Sequence, residues 1–89
     1  MTRYVSKEND MARVFLNYED QASHRFATWV QGEKKLQKVT DTDLADERGI
    51  SQSAMSRKLR LEIFDFKDFA CLARKLGADA ETLKYILGL

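Results

Sequence analysis

The chain has 89 residues and a mass of 10.3 kDa, which allows one small domain. Charged residues make up 33% and apolar residues 44%, a balance that suits a globule with a modest core and argues against disorder. The longest apolar run, Phe69 to Ala73, is too short for a membrane span or a signal-peptide core, and a lone Cys71 excludes disulfides and multi-thiolate metal sites, so a cytoplasmic protein is expected.

With no proline and few β-branched runs, the chain favours helices. Residues 1–16 read as an N-terminal arm or extra element. Met11, Val14, Phe15 and Tyr18 fit a helical stripe, residues 13–17 equally fit a short strand, and Met11 could serve as the start. From Asn17 as N-cap a long helix is expected to about Lys35, burying Ala22, Phe26, Trp29 and Val30. Thr40 caps the next helix with Asp43 at its third position; Val39 and Leu44 stand at staple spacing, and Gly49 stops it. Ser51 then caps a helix to about Leu61. Asp65 caps a fourth, with Phe64 and Phe69 at staple spacing, and it runs to Gly77. Asp79 starts the last, with Leu83, Ile86 and Leu87 as its apolar face. The expected fold is therefore all-α, a compact bundle of about five short helices.

Charge is nearly balanced at +1 overall, but it is unevenly placed. Residues 39–50 carry four acids against Arg48, net −3, whereas residues 51–61 carry Arg57, Lys58 and Arg60 and no acid. Lys34, Lys35 and Lys38 form a second basic cluster upstream. Such a distribution can hold one phosphate-facing surface on a neutral molecule.

The pair of short helices over residues 40–61 carries the strongest functional signal. Ala45 is small where the second helix must cross the first, Gly49 permits a sharp turn, and Leu44, Ile50 and Met55 fill the wedge between them. On a helical wheel Gln52, Ser53, Ser56, Arg57 and Arg60 span about 140° of arc. Met55 and Leu59 fall outside it and read as the core edge. Glutamine, serine and arginine suit base edges, and an enzyme site would more often gather histidine, cysteine or carboxylates.

The stretch Leu44-Ala45, three residues, then Gly49-Ile50-Ser51-Gln52-Ser53-Ala54-Met55-Ser56-Arg57 resembles the helix-turn-helix of the phage repressor and Cro superfamily. From Met55 through Ile63 and Phe66 it also resembles the phage CII-type activators. The resemblance covers residues 40–77 well and the first 30 loosely. It implies that the helix starting near Ser51 enters the major groove, with Gln52, Ser53 and Arg57 at base-contacting positions and Ser51 and Thr42 at phosphate-contacting ones. It also implies double-stranded operator DNA as partner, a homodimer or higher homo-oligomer, and a nucleoid-associated place in a bacterial cell. Arg48 and Lys58 depart from the pattern, standing where the family has apolar residues; their stems are expected to cover the core edge while their charges reach water.

Simpler readings stand beside these. A polar face on a helical hairpin can be merely solvated, and Lys34, Lys35 and Lys38 can be a solvated helix end as well as phosphate contacts. His24 reads as a surface residue, Cys71 as a buried inert thiol and Trp29 as core. The apolar surplus at Leu83, Tyr85, Ile86, Leu87 and Leu89 is a candidate dimer surface, with Val14, Phe15 and Leu16 as its rival. The acids Asp41, Asp43, Asp46 and Glu47 could touch RNA polymerase. No glycine-rich phosphate loop, metal-ligand spacing or nucleophile with a base is present, so no enzyme, cofactor or metal is expected. The sum is a transcriptional regulator of phage or mobile-element type, repressor or activator. The alternatives are a helical protein-interaction adaptor, or an antitoxin or recombination directionality factor using the same motif.

Overall fold

A computed structural model describes residues 17–89, and the expectations for residues 1–16, including Met11, lie outside the described residues. The described chain forms α1 (Tyr18–Gln37), α2 (Asp41–Arg48), α3 (Gln52–Leu61), α4 (Phe66–Leu76) and α5 (Ala80–Leu87), with no strand among the described residues. It is an all-helical bundle of five elements, as composition and periodicity predict.

Each helix begins on a side chain that accepts an otherwise orphaned backbone N–H. Asn17, Thr40, Ser51, Asp65 and Asp79 accept from Asp20, Asp43, Ala54, Asp68 and Thr82. At Thr40 and Asp65 the bond is reciprocated, since Asp43 and Asp68 accept from the cap's own N–H. Val39 packs on the core cluster that holds Leu44, and Phe64 and Phe69 each meet Phe26, at ring-centroid distances of 5.0 and 4.8 Å.

α1 runs two residues beyond expectation. Gly32 within it is exposed and does not break the helix, and Lys38 closes it at φ 58°. The core comprises Phe26, Val30, Leu44, Ala45, Met55, Leu59, Leu72, Leu76 and Ile86, with Trp29, Val39, Ile50, Phe64, Phe69 and Ala73 packed against it. Ala27 is buried although the sequence did not single it out, whereas Ala22 and Trp29 are only half-buried. Of the α5 face, Ile86 is buried and Leu83 and Leu87 are half-buried.

α1 ties the two ends of the bundle. Its Arg25 donates to the Ile86 carbonyl at 3.0 Å, its Tyr18 hydroxyl donates to the Leu87 carbonyl, and its Gln37 donates to the Leu76 carbonyl at 2.8 Å. These are terminal carbonyls that α5 and α4 cannot satisfy internally. His24 lies at the surface as expected, its side chain 45% exposed, but it is paired. Its Nδ1 lies 3.0 Å from Glu62, the residue that closes α3. Cys71 is a correction, for it is half-buried and not enclosed; burial and the charge of Glu47 push its thiol up, so it stays protonated at neutral pH.

Four aspartates titrate below the ordinary range. Burial pushes Asp41 and Asp68 up, but hydrogen bonds and neighbouring cations outweigh it; backbone N–H bonds lead the lowering at Asp43 and Asp79. With folded values below the unfolded value of about 3.9, the unfolded chain takes up protons first on acidification. The stability these groups supply is therefore complete above about pH 4 and is lost as pH falls through the folded values. The urea midpoint should hold between pH 7 and 5 and drop between pH 4 and 2. An unchanged midpoint at pH 3 would contradict this.

Candidate nucleic-acid interface

α2 and α3 meet through a three-residue connection. Gly49 takes φ 80°, a conformation that costs other residues steric strain, and its N–H bonds the Ala45 carbonyl at 2.8 Å. Ile50 donates to the same carbonyl at 3.0 Å, so the turn closes tightly over Ala45, which is buried. Leu44 and Met55, both 0% exposed, fill the wedge as expected, and Ile50 is half-buried beside them.

The inner edge of α3 is held by apolar packing and by one acid. Met55 and Leu59 enter the core. Lys58 reaches Asp68 Oδ2 at 2.8 Å, and Arg48 Nε, from the end of α2, reaches Asp68 Oδ1 at 2.8 Å. The Asp65 N–H donates to Asp68 Oδ2 at 2.9 Å, and Arg48 also lies 3.6 Å from the Asp65 carboxylate. Asp68 is 0% exposed. The expectation that the Arg48 and Lys58 charges reach water is thus corrected: their stems do cover the core edge, but the charges turn onto a buried carboxylate. A carboxylate removed from water needs such partners, and here two cations from different helices meet on it. Three helices are cross-linked at the root of α3.

On the outer side Gln52, Ser53, Arg57 and Arg60 are exposed, with Ser51 at the helix start and Thr42 on the first turn of α2 exposed as well. Lys35 and Lys38 are exposed near the end of α1. Two members of the expected set behave differently. Ser56 is half-buried, donates to Asp41 Oδ2 at 2.7 Å and accepts from Gln52 Nε2 at 2.7 Å. Lys34 donates to the other oxygen of Asp41, so it is paired and does not extend the cluster of Lys35 and Lys38. An acid therefore adjoins a face that carries none in its own sequence, and Lys34 offsets its charge. Burial pushes Asp41 up; the bonds from Lys34 and Ser56 and the charge of Lys34 more than reverse this.

Sequence reasoning missed Asp68 and the role of Asp41. A signal for Asp68 was present, because two cations at apolar register positions require an anion within reach, and Asp65 and Asp68 stand at capping-box spacing. Also missed was the flank beyond Arg57, a shallow groove lined by Ala54, Arg57, Lys58, Leu61 and Ile63. Of the proposed dimer surface, Tyr85 is 60% and Leu89 85% exposed, while Ile86 is consumed by the core. No described helix is long and apolar enough to cross a membrane, and among the described residues no three metal-ligating side chains gather. Comparison with family models, curated proteins and solved structures gives no match for the chain.

Proposed function

We propose that the protein is a sequence-specific double-stranded-DNA-binding transcriptional regulator, of phage or mobile-element type, that reads the major groove with α3. The observation that carries this reading is the division of α3. Its inner edge is fixed to the core and to Asp68, and its outer edge leaves Gln52, Ser53, Arg57 and Arg60 exposed. A rod held rigidly by one side and carrying hydrogen-bond donors on the other suits base reading, which needs side chains placed before contact. Ser51 and Thr42 flank that edge and suit phosphate, as do Lys35 and Lys38. On this reading α2, the turn and α3 form a helix-turn-helix of the repressor/Cro kind.

One such module reads few base pairs. Two on a dyad, with recognition helices about 34 Å apart, would supply operator-level discrimination. The working unit on DNA is therefore a homodimer or larger, with the exposed end of α5 as the candidate contact, and it acts in the bacterial cytoplasm at the nucleoid. Repression needs only promoter occupancy. Activation would use the acids of α2, of which Asp43, Asp46 and Glu47 are exposed, toward RNA polymerase.

The test is binding to random-sequence duplex across a salt series. Affinity should fall steeply with salt, and Lys35→Ala should weaken all sequences alike and reduce the slope of log K against log salt by about 1. No binding at low salt would contradict the proposal. It would favour the second reading, a helical protein-interaction adaptor, for which the observation is exposed Ile63 and Phe66, at 62% and 80%.

A further inference from the structure

We propose that Asp41 is a positioning residue for base reading: acting through Ser56, it sets which end of the Gln52 amide faces inward and so makes Gln52 a reader of adenine. This rests on α3 being the recognition helix.

Hydrogen-bond polarity fixes the arrangement. An ionised carboxylate only accepts. Ser56 has a single hydroxyl proton, and at 2.7 Å from Asp41 Oδ2 that proton is committed to the carboxylate. Toward Gln52, one helical turn earlier, Ser56 can therefore offer only a lone pair. The amide must answer with its NH2 group, and Nε2 lies 2.7 Å from Ser56 Oγ. A flipped amide would set oxygen against the oxygen lone pair. With one N–H used inward, Gln52 is left with its carbonyl oxygen and its second N–H. That is an acceptor and a donor side by side, matching the N6 amino group and N7 of adenine. Guanine offers two acceptors along the same edge and would place O6 against the amide oxygen.

Lys34 completes the device. It donates to the second oxygen of Asp41, and both side chains are largely withdrawn from water, at 18% and 24% exposure. Its charge offsets a carboxylate that would otherwise repel the phosphates nearby. It also favours the ionised form on which the polarity depends, in keeping with the lowered titration of Asp41.

The experiment is selection of bound sequences from a random duplex pool by the full chain and four variants, with melting curves for each. Gln52→Ala identifies the base pair that Gln52 faces. At that position the wild type should prefer adenine by about 5- to 150-fold, the range of a well-formed bidentate contact. Asp41→Asn can donate to Ser56, which frees the Ser56 proton for the Gln52 oxygen and lets the amide turn. It should reduce the preference below about 3-fold, leave other positions unchanged, and bind random duplex as well or better, because Lys34 is released. Ser56→Ala, a helix-favouring change, should lose the same single preference, and Ser56→Thr should keep it. Retention of the adenine preference by both Asp41→Asn and Ser56→Ala would overturn the proposal, as would a wild-type preference for another base where Gln52 acts. A wild type that binds no duplex would instead overturn the reading of α3 itself.

Discussion

Replacing Asp68 with alanine is expected to destabilise the fold by about 3 kcal/mol, a large share of the stability of so small a domain. The carboxylate is inaccessible and serves three donors, Arg48, Lys58 and the N–H of Asp65. Removing one member of a buried ion pair costs ~3–5 kcal/mol where the survivors stay buried. Here Arg48 and Lys58 keep 21% and 27% exposure and can recover part of their hydration, which lowers the figure. Loss of the reciprocal cap at Asp65 adds about 1 kcal/mol, returning the total to about 3 kcal/mol. Urea unfolding measures it, and a loss below about 1 kcal/mol would mean that the cluster behaves like a surface pair. The triple change Arg48→Leu, Lys58→Met and Asp68→Leu should by contrast lose only about the 1 kcal/mol of the cap at Asp65, because apolar packing can replace a buried ion cluster.

Arg57→Ala is expected to cost about 1–3 kcal/mol of binding on the cognate site and to relax preference at one base pair. Arg57 is exposed, and its stem borders the shallow groove of Ala54, Leu61 and Ile63, so its removal leaves no buried partner unsatisfied. Fold stability should therefore move by no more than about 0.5 kcal/mol. Asp68→Ala acts on the fold, Arg57→Ala on recognition. Competition between cognate and random duplex measures the second. Equal losses on both would show that Arg57 touches phosphate alone.

Local chemistry made most of the helix boundaries legible. Thr40, Ser51, Asp65 and Asp79 each carry a short acceptor that backbone N–H groups must find, and Gly49 and Gly77 mark stops through a conformation that other residues resist. The ends of α1 and α3 were harder, because Lys38 and Glu62 close them in the left-handed region without a glycine to announce it. At Glu62 the contact with His24, 38 residues away, accompanies that conformation, and no local pattern encodes it.

The candidate site divides in the same way. Periodicity separates the exposed Gln52, Ser53, Arg57 and Arg60 from the buried Met55 and Leu59, because a wheel reports burial. It does not report where a polar side chain ends. Ser56 shares the outward arc, yet it turns to Asp41 on another helix. Arg48 and Lys58 read as stems on the core edge with charges in water until Asp68, 20 and 10 residues further on, folds beneath them. Polar contacts between helices depend on crossing geometry, which a single sequence does not display.

The most direct measurement is selection of bound sites from a random duplex library by the intact chain. The account predicts an enriched, salt-sensitive consensus of paired half-sites spaced near one turn of DNA, about 10 base pairs, whose central bases lose enrichment when Gln52 or Arg57 is replaced. A pool that remains random after repeated rounds, or a consensus indifferent to both replacements, would contradict it.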